Sequence, residues 1–113
     1  MDIVISDFDN TLFKRNHGLI QRCVSALQQL NKPVYIVTYR AEDQKDFILD
    51  TLAPTGLEIV GIAFAGSRQK DPLTKRALAE VISKKYYVSL ALDDDPEVVV
   101  QYKSVGIPAH IWV

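Results

Sequence analysis

Hydrophobic and polar positions along the chain switch repeatedly between a strand-like and a helix-like period. Ile3-Val4-Ile5-Ser6 is a β-rich run that stops at Asp7. Leu19, Ile20, Cys23, Val24, Leu27 and Leu30 then recur at helical spacing, and Asn31-Lys32-Pro33 ends that helix. Val34-Tyr35-Ile36-Val37 is a continuous apolar run ending at Thr38, the pattern of a strand buried on both faces. Residues 41–52 are predicted helical with Phe47, Ile48 and Leu52 inward, and Pro54-Thr55-Gly56 breaks them. A third strand is predicted over 57–65, closed by Gly66-Ser67. Asp71-Pro72 supplies an N-cap and a first-turn proline for a helix whose apolar face is read as Leu73, Ala77, Leu78, Val81 and Ile82. Strand 87–92, a helix capped by Asp95-Pro96-Glu97 with Val98, Val99 and Tyr102 inward, and strand 107–113 complete the chain.

This β-α alternation with continuous apolar strands predicts a three-layer, Rossmann-like α/β fold. A five-stranded parallel sheet carries helices on both faces, and residues 1–113 make one domain. Ligands of such sheets bind beyond the carboxyl ends of the strands. Asp7 and Asp9, Thr38, and Asp93-Asp94 all fall there, at three different strand ends. Alone, Asp7-Phe8-Asp9-Asn10-Thr11 also reads as a turn that ends a strand; convergence with the other strand ends favours a site. The i, i+2 spacing of Asp7 and Asp9 turns both carboxylates to one side.

The net charge of −1 gives no global field to attract nucleic acid. Apolar stretches are shorter than a membrane span and no signal-peptide pattern is present, so the chain reads as cytoplasmic, without a membrane partner. Cys23, the single cysteine, falls on the apolar side of a helix and is expected as a small buried hydrophobe. His17 and His110 have no metal-ligand spacing. Trp112, Tyr86, Tyr87 and Tyr102 are assigned to the core or its edge.

Acids at strand ends beside a hydroxyl and cations suit phosphoryl chemistry. A carboxylate attacks a phosphate dianion only when its repulsion is neutralised, and magnesium held by oxygen ligands does this. Asp7 with Asp93-Asp94 offers such a cradle, Thr38 a hydroxyl, and Arg40, Arg68 and Lys70 the cations. Lys75 competes with Lys70 for the phosphate, but lies a turn inside its helix, so Lys70 is preferred.

These residues resemble the haloacid dehalogenase (HAD) superfamily of phosphohydrolases over essentially the whole chain. Asp7-Phe8-Asp9-Asn10-Thr11 is similar to its DxDxT motif, and Thr38, Lys70 and Asp93-Asp94 to its second, third and fourth motifs. The resemblance implies an aspartyl-phosphate mechanism dependent on Mg2+. Asp7 is then the nucleophile and Asp9 the general acid and base, while Thr38 and Lys70 hold the phosphoryl oxygens. Asp7, the Asp9 carbonyl, Asp93 and Asp94 hold the metal, Asp94 directly or through water. No cap domain has room to be inserted; only 13–18 are available as a flap.

A closer resemblance is to the phosphatase domains of bacteriophage-type polynucleotide kinase-phosphatases. It rests on Thr38-Tyr39-Arg40, on Arg68-Gln69-Lys70-Asp71, and on Asp93 through Val99 with Gly106 and Trp112. It implies terminal phosphates of nucleic-acid ends, 3′ (or 5′), as substrate, with Thr11, Tyr39, Arg40 and Arg68 on the substrate side. The chain has no GxxxxGK[ST] loop, hence no kinase half is expected. Lys14, Arg15, His17, Arg40, Arg68 and Arg76 are expected to rim an open entrance, though each also reads as a solvated surface charge. A small-metabolite or nucleotide phosphatase is the alternative. A receiver-like signalling module is another, disfavoured because the third strand ends in Phe64-Ala65-Gly66 without a carboxylate. No obligate protein partner is expected, and the chain is read as a monomer or weak dimer.

Overall fold

The computed structural model describes residues 1–66 and 69–112. Its elements in chain order are β1 (Asp2–Ser6), β2 (Phe13–Lys14), β3 (Gly18–Leu19), α1 (Gln21–Leu30) and β4 (Val34–Thr38). A 3-10 turn at Glu42–Gln44 leads into α2 (Lys45–Leu52), then β5 (Ile59–Phe64), α3 (Pro72–Ser83), β6 (Tyr87–Asp93), α4 (Pro96–Ser104) and β7 (Ala109–Ile111). Five strands pair in the order β5-β4-β1-β6-β7, every pair parallel. The chain therefore winds outward from β1 through β4 to β5, then returns across β1 to β6. The reversal lies between β1 and β6, where open parallel sheets leave a crevice beyond the strand ends.

Strand residues divide between two cores. Ile3, Ile5, Val37, Val88 and Ala91 pack with Ala79 and Ile82 of α3 and with Val98, Val99 and Tyr102 of α4. Val4, Val34, Ile36 and Leu92 pack with Cys23, Val24 and Leu27 of α1 and with Ile48 and Leu52 of α2. Alternate strand side chains thus feed opposite layers, so the strands read as unbroken apolar runs. Burial pushes the Cys23 thiol up to about 12, as its place inside α1 requires.

The expected helix stops are realised. Asn31 is left-handed (φ 50°) at the end of α1, and Gly106 (φ 82°) follows α4. The side chains of Asp71 and Asp95 accept from the amides of Leu73 and Glu97, both at 2.9 Å, as N-caps. The expected flap is a short antiparallel hairpin, β2 with β3. Strand bounds are tighter than predicted: β5 begins at Ile59 rather than 57 and β7 at Ala109 rather than 107.

Two inward faces need correction. In α3, Leu73 and Val81 are 48% and 65% exposed and Ala77 is exposed too, whereas Lys75, Ala79 and Ile82 are buried. The inward stripe follows i, i+4, i+7 from a lysine, because that lysine finds buried carboxylates beyond the strand ends. In α2, Ile48 and Leu52 are buried but Phe47 is 42% exposed. It turns instead toward Phe8 and Phe13, its ring edge-on to both at centroid distances of 6.2 and 5.4 Å.

Candidate active site

Asp7 follows β1 directly, and its amide donates to the Leu92 carbonyl at 2.9 Å, carrying the β1–β6 ladder one residue beyond the strand. That bond sets Asp7 beside Asp93, the last residue of β6. The loop then tightens: the Phe8 carbonyl accepts from the amides of Leu12 and Phe13, both at 3.0 Å, and Asn10 turns left-handed (φ 62°). Buried Phe8 and Leu12 hold it down. Asp7, Asp9 and Asn10 consequently line one cavity of about 360 Å³, with Tyr39, Lys70, Lys75, Asp93, Asp94, Asp95 and Pro96. Asp7 and Asp9 thus reach the same cavity from the turn that follows β1, not from the pleat of the strand itself.

Lys75 is the centre of the arrangement. Its ammonium, 1% exposed, donates to Asp7 Oδ1 at 3.0 Å and to Asp93 Oδ2 at 2.8 Å. Asp7 Oδ1 also accepts from the Phe8 amide at 2.8 Å, and Asp93 Oδ1 from the Asp95 amide at 3.0 Å. The Thr11 hydroxyl, fully buried, stands 3.4 Å from Asp7 Oδ2, a long contact. Burial works against the Lys75 ammonium, but the charges of Asp7 and Asp93 outweigh it and hold its pKa above the ordinary value. Burial pushes the Asp7 carboxyl well above the usual range despite Lys75, and the charge of Asp93 adds to the rise. Asp93 is raised by burial in the same way, against the pull of Lys75.

Lys75, to which the sequence reading preferred Lys70, is thus the lysine that bridges Asp7 and Asp93. Lys70 lines the same cavity without such a bond among the described residues. The signal for Lys75 was its spacing to Ala79 and Ile82, which places it on the buried stripe of α3.

Asp7, Asp93 and Asp94 present carboxylate oxygens within 4.8 Å of one another. Among the described residues the cluster sets one ammonium, Lys75, against three carboxylates, and burial raises the carboxyls of Asp7 and Asp93 despite it. This all-oxygen donor set fits a hard divalent cation, and a bound cation would supply the missing charge.

Asp9 lies outside that cluster. Both its oxygens accept from Arg40, Oδ2 from Nε and Oδ1 from Nη2, each at 2.8 Å. This bidentate pair raises the Arg40 pKa. The guanidinium also bonds Gln44 Oε1 at 3.1 Å and sits 5.3, 6.0 and 5.0 Å from the ring centroids of Phe8, Phe13 and Phe47. Arg40, expected on the substrate side, is therefore committed to Asp9. Thr38 is fully buried and its hydroxyl accepts from the Arg40 amide at 3.1 Å, behind the cavity wall. Tyr39 does line the cavity, with the Lys75 ammonium 4.5 Å from its ring centroid. Arg68 lies outside the described residues.

Fold and site together define a three-layer α/β protein with an acidic, lysine-bridged centre at the switch point of its sheet. No protein-family model and no curated protein matches the sequence. Solved structures do. A chain of the Pnkp1/Rnl/Hen1 complex aligns with a TM-score of 0.80 at 22% identity, over 98% of this chain and 45% of its own length. A chain of the Pnkp1/Rnl/Hen1 RNA repair complex aligns with a TM-score of 0.82 at 21% identity, over 98% and 42%. The protein thus shares its fold with these chains and spans less than half of their length. Among the described residues no helix is long and apolar enough to cross a membrane.

Proposed function

We propose that the protein is a phosphohydrolase of the HAD type that removes terminal phosphates, 3′ phosphates first, from nucleic-acid ends with the help of Mg2+. The observation that carries this reading is the buried Lys75 between Asp7 and Asp93, with Asp94 adjacent. Asp7 Oδ2 meets the Thr11 hydroxyl at a long 3.4 Å, in a cavity lined by more acids than cations. The fold shared with chains of an RNA repair complex supports the choice of nucleic acid over small metabolites.

Asp7, Asp93 and Asp94 would hold the metal, which supplies charge that offsets the repulsion between carboxylate and phosphate. Asp7 Oδ2 attacks phosphorus, the bond to the leaving oxygen breaks, and Asp9 gives that oxygen its proton. Water then attacks the aspartyl-phosphate, its proton passes to Asp9, and phosphate leaves as the Asp7 carboxylate is restored. Lys75 keeps Oδ1 engaged and so aims Oδ2 at phosphorus. Lys70, on the cavity wall, would hold a phosphoryl oxygen. While Arg40 holds both Asp9 oxygens the carboxyl only accepts, so proton delivery starts from a conformer in which that fork has opened.

The test is hydrolysis of p-nitrophenyl phosphate with Mg2+ or with EDTA, on the parent and on Asp7→Asn. Loss of at least about 10³-fold in kcat is expected for the variant and for the chelated parent. Activity surviving Asp7→Asn removes the nucleophile assignment. Among substrates, 3′-phosphorylated oligonucleotides should exceed 5′-phosphorylated ones and sugar phosphates in kcat/KM; the reverse order returns the reading to a metabolite phosphatase.

A further inference from the structure

Next to the reaction cavity, the β2–β3 hairpin and the start of α2 carry a surface that the chemistry above does not use. Lys14, Arg15 and His17 fall within four positions, all exposed, and none makes an ion pair among the described residues. The His17 amide donates to the Lys14 carbonyl at 2.9 Å, and Asn16 takes φ 68°. Residues 14–17 are therefore a tight turn with its left-handed residue third, as a type II turn requires. The hairpin is tied to the loop that carries Asp9: the Asn10 amide donates to the Phe13 carbonyl at 2.7 Å, and Asp9 bridges Phe13. Arg15 is two residues from Phe13, about 7 Å of strand. Phe47 packs against Phe13 and carries the Arg40 guanidinium 5.0 Å from its ring centroid, yet it remains 42% exposed, so part of the ring is left to a ligand.

Lys14 and Arg15, without ion pairs among the described residues, stand with a partly exposed ring, and single-stranded nucleic acid is recognised by such a set, the cations on its backbone and the ring under a base. The cavity sets Asp7, Asp9, Asp93, Asp94 and Asp95 against Lys70 and Lys75, a net acidic lining, so cations outside it add to the attraction for a polyanion. A mononucleotide or sugar phosphate places its only phosphate in the cavity and leaves nothing for the hairpin. An acidic peptide would use the cations and have no need of the ring.

We propose that Lys14, Arg15 and His17, with Phe47 beside them, form a binding track for the single strand that precedes the reacting end of a polynucleotide. The placement of that end rests on the phosphatase reading; binding by the track is testable without it. In an Asp7→Asn background, which prevents turnover, fluorescence anisotropy measures the Kd of a 3′-phosphorylated ten-nucleotide single strand and of a 3′-mononucleotide. Lys14→Gln with Arg15→Gln should weaken the oligonucleotide about tenfold and lower the slope of log Kd against log salt by about 1.4, two charges at 0.7 each. Phe47→Leu, which keeps an apolar contact for Phe13, should weaken it at least about fivefold with little change in salt slope. The mononucleotide should bind all variants alike. Unchanged oligonucleotide affinity in the double variant overturns the track, as does equal loss for the mononucleotide or tighter binding of an acidic peptide or anionic vesicle. If the parent hydrolyses no phosphomonoester but the hairpin variants still lose the oligonucleotide, the phosphatase reading falls and the track stands. If hydrolysis is normal and binding is unmoved, the opposite holds.

Discussion

Between Asp7 and Asp93 the ammonium of Lys75 is shared by two carboxylates, and among the described residues no second cation pairs with either. Removing the lysine strands two buried acids, and breaking a buried ion pair from one side costs about 3–5 kcal/mol. Lys75→Met should therefore lower the metal-free unfolding free energy by about 3 kcal/mol in urea titrations at pH 8. Lys70→Met, at an exposed position, should change it by less than about 0.5 kcal/mol. Carboxyls raised by burial in the folded state lose stability as pH rises, so the Lys75→Met deficit should shrink toward pH 5. Equal effects of the two substitutions would refute the network. The acids were legible because each ends an apolar strand. Lys75 was harder to see, since a lysine on a helix normally reads as solvated and only its register with Ala79 and Ile82 marks it as inward. The Arg40–Asp9 fork joins residues 31 apart in the chain, and no local pattern announces such a pair.

At the level of elements, helix stops and starts followed local chemistry closely, because a cap depends on a residue and its next few amides. Asp71 and Asp95 were recognisable for that reason. Packing between neighbouring strands was not. Gly61 of β5 lies under the Tyr35 ring of β4, and a Cβ there would stand 2.5 Å from Tyr35 Cζ. Its φ is not in the left-handed region, so space rather than backbone freedom explains the glycine. Gly61→Ala should destabilise by about 1–3 kcal/mol, the usual range for forcing extra volume into a packed site. Tyr35→Val should relieve most of that cost, and a double-mutant cycle measured by thermal unfolding reads the coupling. Additive effects would show that the ring is not the obstacle.

Over the whole molecule, the strand order β5-β4-β1-β6-β7 brings Asp7 next to Asp93, 86 positions later, and opens the crevice above them. A cation bound there is linked to folding, because the unfolded chain has no such cluster. Mg2+ at a hundred times its Kd should stabilise the parent by about 2.7 kcal/mol in calorimetry, and EDTA should reverse the gain. Asp93→Asn should abolish the Mg2+ response. A response that survives this substitution would place the cation elsewhere.

The alternating pattern by itself determined the layer architecture, the caps and the strand ends at which acids gather, because burial period and capping are local properties of a chain. The tertiary structure decided which lysine meets those acids, where Arg40 spends its charge and that Phe47 stays partly exposed beside Phe13. Those outcomes depend on the register of α3 against the sheet and on loops brought together from separate strands, distances that no run of neighbouring residues encodes.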